Sequence, residues 1–300
     1  MTRDGSSMRF YGWLGLAIIL FITFVRLTTR SVPSIQPFDA FIGRWFTPIA
    51  WWGYILLLDG WLAARRGFSW FKHARREFLF MLVTSNVCWI IFEGYNALIK
   101  NWTYQNLPNS FIEDWAGRVI AYATIFPGIF LTTHALFHLF KISQLPTQSM
   151  HLPRSGLLLS YGIGALFLVY PILFPNPALF ALVWIGFILF LDPLNALNGS
   201  PSLLAELQQP PARRFVFLLM AGYICGFLWE YWNSWADTKW VYHLPFPTLF
   251  KIYEMPVIGF LGFGPFALEC YVMYLFCRRE WAALGFHIEE TEDPILPAKP

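Results

Sequence analysis

Charge is what this sequence has least of. Only 13% of its 300 residues are Asp, Glu, Lys or Arg, against about a quarter in a soluble domain, which excludes an ordinary water-soluble globule. Cysteine is nearly as scarce. Cys88, Cys225, Cys270 and Cys277 all fall in apolar runs with no CxxC spacing, which excludes a disulfide framework and leaves them as small apolar packing residues. No phosphate-binding glycine loop, Ser-His-Asp set or nucleotide fingerprint is present, so no cofactor is indicated. No basic stripe alternates with exposed aromatics, so the net charge of +3 points to no nucleic-acid partner. Histidine is sparse too. His134 and His138 have the four-residue spacing of a metal or haem face, but they lie beside Lys141 without further histidine boxes. They read as interfacial packing, and no metal site is indicated.

What the chain has in abundance is apolar and aromatic surface: 57% of residues are hydrophobic and 20% aromatic. The charges cluster between apolar runs of the length that crosses a bilayer, about 20 residues. Eight spans are expected, at roughly 9–28, 47–64, 77–99, 117–140, 155–174, 177–194, 213–236 and 256–278. The first run, Phe10 to Val25, ends in Arg26 and Arg30 without a small-residue cleavage site and reads as a retained helix. The fold class is therefore all-α, a polytopic membrane helical bundle, and its first partner is the lipid bilayer.

A second regularity organises these spans. Cys88, Glu93 and Asn96 match Cys225, Glu230 and Asn233 at an offset of 137, and Trp102 and Tyr104 match Trp240 and Tyr242 at 138. Asp59 and Asp192 recur in similar contexts at 133, and Arg75-Arg76 with Arg213-Arg214, and Pro127 with Pro265, at 138. The expected organisation is a parallel 4+4 internal repeat. Residues 1–145 form the first four-helix unit and 155–280 the second. The join lies over Gln144 to Arg154, and 281–300 form an acidic, proline-rich cytoplasmic tail.

An ionisable side chain inside a spanning helix is costly and usually faces an interior site. Glu93 with Asn96, and Glu230 with Asn233, sit three apart and share a helix face. Trp229 adjoins Glu230. Span eight adds Glu254 at its outer end and Glu269 further in, with three glycines and two prolines between Glu254 and Pro265, a pattern of close packing or kinking. Two readings of these acids stand side by side. In one, each acid bonds its asparagine and a neighbouring helix as a polar clamp. In the other, a buried carboxyl serves as a proton donor, with Glu230 the principal acid, Glu254 and Glu93 the other candidates, and Asn233, Trp240, Tyr242, Trp229, Asn96, Trp102, Tyr104 and Glu269 around the substrate.

The order Trp229-Glu230, Trp240-x-Tyr242, Glu254-Met-Pro256 resembles the lycopene-cyclase-type membrane domain of carotenoid synthesis. That family duplicates a bundle of short helices, with Trp-Asp or Trp-Glu in one, a Trp-x-Tyr soon after, and a proline-led acidic helix next. The first half has Glu93 and Trp102-x-Tyr104, but Trp115-Ala116 at the proline-led step. Val257-Ile258-Gly259 stand where the family has a pair of glutamates. The resemblance implies acid-initiated cyclisation or isomerisation of an isoprenoid or other lipid in an aromatic-lined pocket. The alternatives are a small-molecule or lipid transporter or binding protein with its site between the halves, and a structural membrane subunit.

Fourteen lysines and arginines fall on the side of the termini and the even loops, and seven on the other. The positive-inside rule then places both termini in the cytoplasm of an inner-membrane protein. Reporter fusions after Gln144 and at Pro300 are expected to read cytoplasmic. A periplasmic signal at either overturns the topology.

Overall fold

The computed structural model describes residues 4–28, 36–140, 153–208, 213–244, 250–286 and 295. The join over 144–154 and the tail 281–300 therefore lie largely outside the described residues. The long helices are α1 (Asp4–Thr28), α2 (Gln36–Arg66), α4 (Arg75–Ile99), α5 (Phe111–Tyr122), α6 (Ile125–Leu139), α7 (Arg154–Leu173), α8 (Phe180–Leu197), α10 (Arg213–Trp235) and α11 (Phe263–Ala283), with short α3 (Trp70–His73) and α9 (Leu203–Gln208) between them. Two short strands, β1 (Trp102–Gln105) and β2 (Lys239–Tyr242), form a ribbon, and β3 (Lys251–Ile252) and β4 (Met255–Pro256) a second one.

Among the described residues, seven helical stretches are long and apolar enough to cross a membrane. Their outward faces carry large apolar side chains such as Leu20, Leu79 and Leu159, as a lipid-facing surface requires. The protein is a multi-pass helical membrane protein. The second expected span is also helical, but it runs over 31 residues rather than 47–64 and is not among the seven. Its inner face carries Arg44, Thr47, Pro48 and Trp51, all of which line a cavity, so its composition serves an interior surface more than lipid.

The fourth and eighth expected spans are each interrupted. The fourth is α5 and α6, separated at Ala123 and Thr124. The eighth begins as a 3-10 turn, Val257–Gly262, before α11. Pro127 and Pro265 each sit third in the helix that follows. Proline is tolerated there because a first-turn N–H has no intrahelical acceptor. The start of α5 has its own signal: Ser110 accepts a bond from the Glu113 backbone N–H, a Ser-x-x-Glu capping arrangement.

Helices α1 and α2 pack as one hairpin and α7 and α8 as another, flanking a centre of α4, α6, α10 and α11. In the second hairpin, a Cβ on Gly164 would lie 2.4 Å from the Phe190 backbone nitrogen, so only glycine allows that approach. The matched aspartates do the same work in both halves. Asp59 accepts from Ser69 Oγ (2.5 Å) and the Trp70 N–H (2.8 Å) at the start of α3. Asp192 accepts from the Leu203 (2.8 Å) and Leu204 (2.9 Å) N–H groups at the start of α9. Each buried carboxylate satisfies helix N-terminal donors that have no intrahelical partner. Buried Glu77 on α4 pairs with Arg278 on α11 at 3.2 Å, joining the two halves.

The α10–α11 contact is the tightest at the centre. A Cβ on Gly222 would sit 2.2 Å from the Phe263 carbonyl oxygen and 2.9 Å from the Gly264 Cα, and backbone cannot yield as a side chain does. Gly222→Leu is expected to destabilise the bundle by about 3 kcal/mol or more, read as a lower thermal midpoint in detergent. Gly94→Leu, at an exposed position with nothing within 4 Å, is expected to leave the midpoint unchanged.

Candidate functional site

The two Trp-x-Tyr stretches are the two strands of one antiparallel ribbon. Trp102 faces Tyr242 and Tyr104 faces Trp240. Side chains two apart on a strand share a face, so the four aromatics point the same way, and all four line one cavity. Thr103 and His243 bond each other on the other side, at 2.8 Å.

Each strand is held to the end of the helix before it by an asparagine. Asn96 Nδ2 donates to the Trp102 carbonyl (2.9 Å), and its Oδ1 accepts from the Trp102 N–H (3.0 Å). Asn233 makes the same two bonds with Trp240, at 2.9 and 3.0 Å. In the clamp reading each asparagine bonds its glutamate. The asparagines instead serve the strand backbone, because a side-chain amide can match a peptide's donor and acceptor together, which a carboxylate cannot.

The glutamates bond the ring substituents. Glu93 Oε1 accepts from Tyr104 (2.5 Å), Tyr122 (3.2 Å) and Trp89 Nε1 (3.1 Å). Glu230, fully buried, accepts on Oε1 from Tyr242 (2.8 Å) and Trp240 Nε1 (3.2 Å), and its Oε2 has no partner among the described residues. The difference is legible in the offsets: Gly226 stands at the Trp89 position and Phe260 at the Tyr122 position, so the second acid has fewer donors. Burial, then Tyr122 and Glu93, push the Tyr104 hydroxyl well above the usual tyrosine range. Burial, then Glu230, does the same for Tyr242. Both hydroxyls therefore stay protonated as donors.

The cavity lined by the four strand aromatics, with Glu93 and Glu230 behind them, has a volume of about 170 Å³. Its wall runs through both halves: Trp51 lies 5.0 Å from Trp229, Trp229 5.7 Å from Phe266, Phe266 5.8 Å from Trp89, and Trp89 5.8 Å from Trp102, ring centre to ring centre. Its rim is polar. Arg44 pairs with Glu113 at 2.7 Å and Arg118 with Asp114 at 3.0 Å. Arg118 also donates to the Tyr122 hydroxyl (3.2 Å) and lies over the Tyr104 ring at 4.7 Å, a cation–π contact. A charged rim thus connects to Glu93 through Tyr122.

Of the residues singled out by sequence, Trp102, Tyr104, Trp229, Trp240 and Tyr242 line this cavity, and Glu93, Asn96, Glu230 and Asn233 stand behind them, bonded to the strand residues. Glu254 stands apart, in the turn between β3 and β4, paired with Lys239 at 2.7 Å. Glu269 is fully buried in α11, with no bond partner for either carboxyl oxygen among the described residues, and does not line the cavity. His138 packs edge-on against Trp61. Sequence reading missed Arg44, Trp51, Arg118, Tyr122 and Trp184. The only signal for any of them was the Asp114-to-Arg118 spacing, one helical turn. Comparison of the chain with family models, curated proteins and solved structures finds no match, so the site is read from its own chemistry.

Asn233→Ala and Asn96→Ala each remove both bonds to a strand and leave a peptide unpaired. Each is expected to cost about 1–3 kcal/mol, measured as loss of thermal stability, and Asn96→Asp to restore little because a carboxylate cannot donate. Full stability of either alanine variant shows that the ribbon is held from elsewhere.

Proposed function

We propose that the cavity takes an apolar, unsaturated lipid of isoprenoid type, and that Glu230 acts through Tyr242 as the proton source for its cyclisation or isomerisation. The observation carrying this reading is the convergence of a buried acid, its tyrosine and a wall of aromatic faces on one cavity. Glu230 is fully buried and its hydrogen-bond partners among the described residues are neutral, a setting in which a carboxyl is held at lower cost as the neutral acid, the form that gives up a proton. When Glu230 carries its proton on Oε1 the bond to Tyr242 reverses, the acid donating to the Tyr242 oxygen and the tyrosine O–H turning to the cavity, so that the acid's proton passes to the Tyr242 oxygen as the tyrosine's own proton passes to an alkene carbon. The resulting carbocation is stabilised by indole and phenyl faces, a second alkene attacks it, and loss of a proton from the product cation returns the acid to its starting state. Glu93 is the counterpart acid of the first half.

In this reading the protein is an inner-membrane, eight-span bundle built as two parallel four-helix halves, with both termini cytoplasmic. The matching asparagine clamps, aspartate caps and ribbon support the duplication, and the offsets support the span count. A second reading, a lipid carrier or binding protein with its site between the halves, draws on the charged rim, which gives the cavity a polar mouth. It differs in needing no proton.

The test is lipid extraction and mass spectrometry from cells with the gene, without it, and with Glu230→Gln or Tyr242→Phe. Glu230→Gln keeps the shape and the acceptor oxygen but has no acid proton. Loss of a product mass, by about 100-fold or more, with the protein folded and its lipid still bound, is expected. Full product formation by a folded Glu230→Gln protein removes the acid from the chemistry. A bound lipid of unchanged structure in the wild type and both variants favours the carrier.

A further inference from the structure

Helix α5 has two unlike faces. Glu113, Asp114, Gly117 and Arg118 line the cavity. Phe111, Trp115 and Val119 are exposed on the opposite face, where a spanning segment meets lipid. On this side the cavity and the bilayer are one helix apart.

The partition is thinnest where α5 meets α2, and three contacts run down that seam. At the outer end Arg44 pairs with Glu113 at 2.7 Å. Next, the Trp45 indole lies against Gly117, where a Cβ would sit 3.3 Å from the ring. Deeper, Trp52 Nε1 donates to the Ile120 carbonyl at 3.2 Å. Arg44, Trp45, Glu113 and Gly117 line the cavity, whereas Trp52 and Ile120 do not. The cavity therefore reaches the seam at the level of Trp45 and Gly117. Beside that level Phe41 is 56% exposed and Trp115 42%, so an indole resting on a glycine backbone stands between cavity and lipid.

Both walls of the seam have a place to bend. Pro48 inside α2 offers no N–H to the Arg44 carbonyl, and α5 stops at Ala123 and Thr124. The inner end of α5 is pinned. Ser85 Oγ donates to the Tyr122 carbonyl (2.5 Å) and accepts from the Phe126 N–H (3.2 Å). At its outer end the link to α2 is the Arg44–Glu113 pair, whose side chains are 46% and 35% exposed, and exposed pairs hold weakly. An apolar ligand already dissolved in the bilayer reaches the seam without entering water, whereas the polar rim would draw it through water first.

From these contacts, on the reading of the cavity as a lipid site, we infer that the ligand passes sideways between bilayer and cavity through the α2–α5 seam, and that the Trp45 indole on Gly117 closes this portal. Retinol tests it, because this isoprenoid alcohol accepts excitation energy from tryptophan. Retinol is added to liposomes carrying the full chain, and the saturable rise in energy transfer gives its association rate. Trp45→Ala is expected to speed association about tenfold, as where a conformational step limits binding. Trp45→Cys with Gly117→Cys, joined by a bis-maleimide with a reducible disulfide, is expected to slow association about tenfold or more and to recover on reduction. Wild type treated with the same reagent controls for the four native cysteines.

A ring that only lined the cavity would act differently: its removal would speed release and leave association unchanged. That result, or a linked pair as fast as its reduced form, overturns the portal while the cavity remains a lipid site. If wild type shows no saturable transfer, the lipid reading falls, and the portal with it. Should Trp45→Ala not fold, the linked and reduced forms of the cysteine pair decide alone.

Discussion

The structure depends on satisfying backbone where helices give way to extended chain beside the bilayer. A peptide group that leaves a helix near hydrocarbon has no water to bond. After α4 and after α10 the chain meets this demand in the same way. An asparagine bonds both backbone polar atoms of the strand's tryptophan, and the two strands then satisfy each other across the molecule. Neither strand has a ribbon partner within its own half. The pairing that completes the backbone is therefore also one of the contacts, with the Glu77–Arg278 pair and the packing of α6 on α10, that join the two motif-bearing stretches beside the cavity.

The acids follow from the ribbon. Once the alternation of the strands turns Trp102, Tyr104, Trp240 and Tyr242 to one face, their N–H and O–H groups are carried into an apolar interior, where each needs an acceptor. Glu93 and Glu230, one turn before the clamping asparagines, supply it for Tyr104, Tyr242 and Trp240, while Trp102 Nε1 has no partner among the described residues. In the first half Trp89 and Tyr122 add further donors to the same oxygen. In the second half a Cβ on Gly226 would lie 2.2 Å from the Phe263 ring, so the indole's place is taken by packing, and Glu230 keeps an oxygen that no donor reaches. The same local plan thus yields one acid with three donors on a single oxygen and one with two.

Much of this was legible beforehand. Apolar run length marked the spans, because a helix must hide its own backbone in lipid whatever its neighbours are. Fixed spacing marked Glu93, Asn96, Trp102 and Tyr104 together with their counterparts, because helix and strand periods dictate which side chains share a face. The role of the asparagines was not legible: sharing a face with the glutamate says nothing about which group a side chain reaches beyond the helix end. Glu254 drew notice as an acid near a proline, yet its position in a turn beside Lys239 gives it an ion pair at the surface instead of a place at the cavity.

By itself, then, the sequence determined a multi-pass helical membrane protein and the two matched sets of acid, amide and aromatics, since both rest on local periodicity and on the cost of polar groups in lipid. Only the tertiary structure decided that the aromatics of the two sets face one cavity and that Arg44, Trp51, Arg118, Tyr122 and Trp184 complete it. Those residues come from α2, α5 and α8, and no spacing links them to either motif. What brings them together is the packing of separate helices, a property of three-dimensional complementarity that no single stretch of chain encodes.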